Sequence, residues 1–352
     1  MGRPEKAGTR EMKPMVHALY PIAENGGPQR LLGLAAGKGV IRVQMGLRVC
    51  DKCGQETPHL RCHNRLVPSE AVECGGATQR KKIRGANRYT RRLGQYTSVP
   101  LEEIIEVKRR SLGLERIPVR IKAVKGLISV AQTPEPIEKG ILRAKHGVSV
   151  FRDGTSRYDM SDVPLTHFRP SEIGTPWNVL FDLGYKHDIF GDELSSDEQL
   201  LELLPQDFVP SISAKGPLLA ICGFVDDLLV RFYGMDAFYE AGDERDLIGH
   251  LAIGLAPHTS GGVLCRIIGW TTASAGYAHP LFHAAKRRNC DGDEDSLMML
   301  LDGLLNFSMS ILPAGRGGLM DAPLVLSTRI NPKEIDKEAL NVDCSWTYTR
   351  AF

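Results

Sequence analysis

Apolar positions along the chain recur with different periods in different stretches. In VIRVQMGLRVC, Val40 to Cys50, β-branched and other apolar residues alternate with polar ones, which predicts strands with one buried face. The period changes at SVPLEEIIEVKRRSLGL. Ser98 offers a capping hydroxyl, Pro100 suits a first turn, Glu102 and Glu103 follow, and an apolar face then predicts a helix. In VPLTHFRPSEIGTPWNVLFDLGY a loop leads into a helix that begins near Ser171 or Thr175. GPLLAICGFVDDLLVRFYG, from Gly216, is apolar enough to be a buried element. HLAIGLAPHTSGGVLCRIIGWTTASAGYAHP breaks into short apolar runs separated by Gly, Ser and Thr, as short strands and tight loops do.

Length and charge narrow the classes. A chain of 352 residues can bury a sizeable core and suggests two or three domains. With 44 basic and 42 acidic residues it has no global polyanion signal, so any nucleic-acid surface must be local. No apolar run approaches the roughly 18 residues of a membrane span. The opening MGRPEKAGTREMKP lacks the apolar core of a signal peptide. A soluble, intracellular protein without a membrane partner is the expectation. In such a chain the 8 cysteines are not a disulfide framework.

Cys50-Asp-Lys-Cys53 is a C-x2-C knuckle, a turn that points both sulfurs at one ion. Cys62 and Cys74 can complete a tetrahedral, structural Zn²⁺ site, with His59 and His63 as substitutes. The stretch QRKKIRGANRYTRR follows, with Arg80, Lys81, Lys82, Arg84, Arg88, Arg91 and Arg92. It reads either as a solvated loop or as a contact to nucleic-acid phosphates, with Tyr89 available to stack on a base.

The densest chemistry lies in HAAKRRNCDGDEDSLMMLLDGLLNF, where four acidic residues occupy Asp291 to Asp295. A calcium loop would need Gly at its sixth position and Glu at its twelfth, where Ser296 and Asp302 stand, and the segment from Ser296 reads as an apolar helix. A solvated acidic turn sits poorly between a basic run and an apolar one. In an extended chain, Asp291 and Asp293 project to one face, and Gly292 admits close backbone approach. Such a pair suits Mg²⁺ held with substrate phosphates, and supports two-metal phosphoryl or nucleotidyl transfer. Lys286, Arg287 and Arg288 would then bind triphosphate or nucleic-acid backbone.

This segment, together with RGGLMDAPLVLSTRINP, GHLAIGLAPHTS and EPIEKGILRAKHGVSVFRDGTSRYDMSDVPLTHFRP, resembles the large subunit of archaeal family D DNA polymerase over nearly the whole chain. The resemblance implies an α+β protein whose catalytic core, like that of multisubunit RNA polymerases, is built on double-psi β-barrels, with an inserted zinc-binding module and flanking helices. It places the essential aspartates on Asp291 and Asp293 and puts Asn289 where the RNA polymerase motif has a third aspartate. Glu294 and Asp295 become supporting groups or surface charge. GRPEKAGTREMKP shares the resemblance, with Arg3 and Lys6 directed at nucleotide or template. His258 and Ser260 lie in a turn beside the site; His258 and His250 read primarily as core histidines.

The resemblance further implies primer extension with deoxynucleoside triphosphates, two Mg²⁺ and one Zn²⁺. Its implied partners are primer–template DNA, a small proofreading subunit with 3′–5′ exonuclease activity, and the sliding clamp, in a cytoplasmic, nucleoid-associated enzyme. The expected organisation is the end of an upstream barrel region over 1–45, the zinc-binding module and basic segment over 46–95, a connecting α+β segment over 96–215, the catalytic barrel over 216–335 and a truncated tail over 336–352. Because the cationic counterpart of the carboxylates falls upstream in this family, the isolated chain is expected not to extend a primer. The competing readings are a non-catalytic nucleic-acid-binding or assembly fragment and an RNA polymerase-like primer-synthesising enzyme.

Overall fold

A computed structural model describes residues 5–62, 74–81, 94–127, 129–288, 292–312 and 316–335. Strand β1 (Ala7–Thr9) lies at a sheet edge. The alternation after Val40 forms β2 (Val40–Met45), which buries Ile41, Val43 and Met45. Next come β3 (Arg48–Cys50), β4 (Glu56–Thr57) and β5 (Thr78–Arg80), a small antiparallel sheet with β3 in its centre. Strand β6 (Gln95–Pro100) pairs antiparallel along all of β2. Ser98 belongs to this strand. The helix predicted after it, α1 (Leu101–Ser111), starts on Pro100 with no side-chain cap. Its dipole is instead complemented by Glu102 and Glu103 in the first turn and by Lys108, Arg109 and Arg110 in the last.

Helix α2 (Ile137–His146) ends at Gly147, whose φ of 67° is the left-handed cap. Inside it Arg143 is fully buried. It makes a bidentate pair with Glu135 (2.7 Å for each bond) and donates to the carbonyls of Gly154 (2.8 Å) and His17 (3.2 Å). This one side chain ties α2 to three separate backbone segments. The apolar run from Gly216 is α3 (Lys215–Leu228), which buries Leu218, Ile221, Phe224 and Val225 and packs between α2 and the barrel. The helix expected near Thr175 begins at Trp177.

The barrel uses β7 (Tyr158–Pro164), β8 (Asp207–Val209), β9 (Leu251–Leu255), β10 (Gly261–Ile267), β11 (Ala275–Ala278) and β12 (Glu294–Met299). Neighbours run β7–β11–β8–β10–β9–β12, and β12 pairs back onto β7, so the six strands close. The β7–β11 and β8–β10 pairs are parallel and the rest antiparallel. β1 adds to β7, and β13 (Val325–Ser327) adds to β10.

Closure crowds the interior. A Cβ on Gly276 would lie 2.4 Å from the Phe208 ring and 2.7 Å from Met160 Sδ, so only glycine fits there. Two sequence expectations change. The barrel draws β7 and β8 from upstream of residue 216, in the segment read as a connector. The apolar run from Ser296 remains strand to Met299 and becomes helix, α4 (Leu300–Asn306), only afterwards, because Leu297 and Met299 fill the barrel while the run continues beyond it. Among the described residues, no helix is long and apolar enough to cross a membrane.

Candidate active site and metal centre

The aspartate segment is reached through a short helix, Pro280–Ala285, capped by His279, whose Nδ1 accepts from the Leu281 N–H (3.1 Å). The helix stops at Lys286, and Arg287 takes a left-handed φ of 57° that turns the chain. Asn289 and Asp291 lie outside the described residues. Gly292 follows with φ 87°, and the chain enters β12 with the Asp293 carbonyl accepting from the Asp162 N–H (2.9 Å). Strand period then puts Asp293 and Asp295 on one face. Both are buried.

The basic run is divided by this geometry. Only Arg287 is exposed. Lys286 is 1% exposed and its ammonium sits between the carboxylates of Asp162 and Asp295, so it cannot meet a triphosphate as expected. Phe282 and Lys286 are four apart on the helix and share its inward face, a periodicity that the charge run conceals. Arg288 also turns inward. Its Nη2 donates to the Glu294 carbonyl (3.0 Å), and its Nε lies 3.3 Å from Asp295 and 3.5 Å from Asp293. His283 is fully buried, with Nδ1 3.9 Å from Asp162. Burial holds its pKa down near 3 and pushes that of Asp295 up to about 7. Burial would also lower that of Lys286, but Asp162 and Asp295 outweigh it and leave the ammonium firmly charged.

Beside this strand runs a groove of about 1110 Å³. Lys6, Arg10, Lys13 and Arg152 line it together with Glu5, Glu11, Asp159, Glu294 and Asp321. Lys6 is therefore brought to the aspartate strand, pairing with Glu294 (3.0 Å), while its N–H donates to Ser161 Oγ (3.0 Å). Arg3 lies outside the described residues. Arg10, Lys13 and Arg152 were not anticipated. The first two stand in the same opening stretch as Lys6, and their shared approach to β7 follows from the pairing of β1 with it. His258 is exposed at φ 63° in the β9–β10 turn, not in the core, and its N–H donates to Asp321. Ser260 Oγ in the same turn donates to the Leu319 carbonyl (3.1 Å). His250 packs on the rings of Tyr239 (5.0 Å) and Phe238 (5.8 Å).

The four clustered cysteines converge. Sγ atoms of Cys50, Cys53, Cys62 and Cys74 all lie within 4.8 Å of one another, with Cys50 3.6 Å from Cys74 and Cys53 3.6 Å from Cys62. The knuckle turns through Gly54 (φ 73°), and the Lys52 N–H donates to Cys50 Sγ (3.4 Å). The backbone N–H of Cys53 is the main cause that lowers the Cys50 thiol to about 7; burial raises Cys62 to about 12. Gly76 is obligatory, since a Cβ there would meet Cys50 Sγ at 2.6 Å. Four soft donors around a common centre fit one tetrahedral ion. Arg80 and Lys81 beside this module are exposed, and Lys81 pairs with Glu56. Lys82, Arg84, Arg88, Arg91 and Arg92, and His63, lie outside the described residues.

Two domain families match the sequence. The DNA polymerase II large subunit DP2 catalytic domain matches residues 114–352, and the DP2 central domain matches residues 1–83. The DNA polymerase II large subunit of Methanocella arvoryzae is 51% identical over 372 aligned residues that cover 100% of this chain and 32% of that protein. Those of Archaeoglobus fulgidus and Pyrococcus furiosus are 48% and 47% identical, again over 100% of this chain, and over 32% and 29% of theirs. The chain thus spans about a third of the length of these relatives. By its family matches and by this identity along its full length, the chain belongs to the family of DNA polymerase II large subunits, of which it carries central-domain and catalytic-domain sequence.

Proposed function

We propose that this chain carries the nucleotidyl-transfer centre of a DNA-directed DNA polymerase, which extends a primer 3′ end with deoxynucleotides. The observation that carries the reading is the buried Asp293 at the entry to a strand closed into a barrel, where the next residue, Glu294, lines a groove together with Lys6, Arg10, Lys13 and Arg152 and the carboxylates of Glu5, Glu11, Asp159 and Asp321. A phosphate chain laid in this groove would meet four cations, each set among the five carboxylates that also line it. Arg10 holds Asp159 (2.8 Å) and Lys6 holds Glu294 in partly exposed pairs. Such pairs contribute little, so both cations can transfer to phosphate oxygens at small cost.

The hard carboxylate oxygens of Asp293, with those of Asp291, fit Mg²⁺, and Asn289 can add an amide oxygen. Bound there, a pair of Mg²⁺ ions supplies activation of the primer hydroxyl and charge neutralisation on the triphosphate. Asp293 is suited to the task because it immediately precedes β12, whose first residue pairs with β7, and its own carbonyl accepts from the Asp162 N–H, so its backbone is fixed before a metal binds. The double-psi connection of the barrel, Zn²⁺ at the four cysteines, and phosphate contacts from Arg80 through Arg92 belong to the same reading. So do a small proofreading subunit, the sliding clamp and primer–template DNA as partners.

The test is Asp293→Asn in the full-length enzyme, which keeps shape and removes charge. Synthesis is expected to fall at least about a thousandfold, several kcal/mol in the transition state. Primer–template affinity should stay within about twofold, since the groove cations are untouched. Retention of more than about a tenth of the rate contradicts the assignment.

A further inference from the structure

Two carboxylates, Asp293 just before β12 and Asp295 within it, are two residues apart along the extended chain, and they meet different partners. Asp295 faces Asp162 of β7 across a gap filled by the Lys286 ammonium. Ligand atoms of Asp162, His283 and Asp295 lie within 4.8 Å of one another. Two carboxylates and a neutral imidazole at that spacing are the donor set of a divalent metal site. The fold has built it fully buried, with a lysine already inside. The Lys286 stem reaches it over the Phe282 ring (4.6 Å) and past Gly254, where a Cβ would lie 3.3 Å from Lys286 Cδ and 2.8 Å from Phe282.

We propose that Lys286 is a resident cation that occupies a latent Asp162–His283–Asp295 metal site and so leaves Asp293 as the carboxylate that takes the catalytic metal. This inference rests on the reading of Asp293 as a metal ligand. The chemistry is one of competition. Without the ammonium, Asp162 and Asp295 would be desolvated carboxylates beside a histidine, neutralised either by a proton or by a divalent ion. The ammonium satisfies them with a charge that carries no open coordination position. Arg288 adds to the division. Its Nε is at ion-pair distance from both Asp293 and Asp295 and hydrogen-bonded to neither, so it is shared and can move to Asp295 when a metal binds Asp293. The Asp162 N–H donating to the Asp293 carbonyl couples the filled site to the working carboxylate through one peptide link. A buried ionic network adds little net stability over an apolar core of equal volume; the contribution of this one is to decide which carboxylate is available. Lys286 is thus a positioning residue, acting through Asp295.

The experiment uses the full-length enzyme with Lys286→Met. Bound Mn²⁺ is counted by electron paramagnetic resonance, and the Mg²⁺ concentration for half-maximal primer extension is measured beside it. One additional tightly bound Mn²⁺ per chain is expected, with the Mg²⁺ midpoint raised about tenfold or more and primer–template affinity within about twofold of wild type. Lys286→Arg should keep the wild-type Mn²⁺ count. If Lys286→Met is insoluble, Lys286→Gln replaces it with the same expectation. An unchanged Mn²⁺ count overturns the inference, whatever the Mg²⁺ midpoint. Asp293→Asn in parallel separates the two claims: if it still extends primers, the metal assignment has failed; if it is inactive and Lys286→Met gains no Mn²⁺, only the role of Lys286 has failed.

Discussion

The four-cysteine cluster and the aspartate strand both gather metal-binding side chains, and they are built in opposite ways. The cysteines hang on β3 and on turns at Gly54 and Gly76, with Cys53 exposed. As thiolates they repel one another until an ion arrives. The aspartates stand on a closed barrel, and the opposing charges are supplied by Lys286 and Arg288. In the first region a bound metal would complete the structure. In the second the structure is complete and a metal would be a reagent.

The sharpest way to break this contrast is to remove the metals. Stripping zinc from the cysteines, or Cys50→Ser with Cys53→Ser, is expected to cost the module most of the roughly 10–16 kcal/mol that such sites supply. Hydrogen exchange should then show protection lost in β3, β4 and β5 and kept in β7, β9 and β12. Withholding Mg²⁺ should abolish synthesis and change neither pattern. Loss of barrel protection together with the cysteine module would mean that the two regions are one folding unit.

On the barrel side, stability should depend on built-in cations. Arg143→Met leaves Glu135 buried and unpaired, and is expected to destabilise by about 3–5 kcal/mol in denaturant titration. Packing is tested next by Gly276→Ala, which drives a methyl into Phe208 and Met160. About 1–3 kcal/mol of destabilisation is expected; no change would show that the barrel interior is looser than described.

The smallest effect is one of pH, with opposite signs in the two regions. Cys50 titrates near 7, so below that value protons compete with zinc, and chelator competition should show weaker binding as pH falls. Asp302 is buried, and burial raises its pKa to about 6, above the unfolded value of about 3.9. Between these values the native state holds a proton that the unfolded state has released, so this group's contribution to stability falls as pH rises from about 4 to about 6. Asp302→Asn should flatten that slope.

What was legible in the sequence follows the range of the interactions. The C-x2-C knuckle is local, and its turn chemistry fixes it. A wide gap in sequence separates Cys62 from Cys74. It is bridged by backbone pairing, with the Cys62 N–H on the Gly76 carbonyl (2.9 Å) and the Gly75 N–H on the Cys62 carbonyl (3.0 Å), which spacing alone does not reveal. The short strands from Leu251 to Ala278 were readable from their alternation, but not their closure, because β7 and β12 meet from distant parts of the chain. Lys286 reads from the sequence as a phosphate-binding cation, because three cations in a row suggest a run that faces solvent and ligand. The helical period from Phe282 carried the contrary signal. Nothing in YDMSDVP singles out Asp162, whose role exists only once β7 lies beside β12.

The central claim is that Asp293, and not the enclosed Asp295, takes the catalytic metal. Anomalous scattering from Mn²⁺ in crystals of the full-length enzyme with primer–template and incoming nucleotide tests it directly. The account predicts a peak about 2.1–2.2 Å from an Asp293 oxygen, with Lys286 still seated between Asp162 and Asp295. A peak among Asp162, His283 and Asp295 with Lys286 displaced, and none at Asp293, would contradict it.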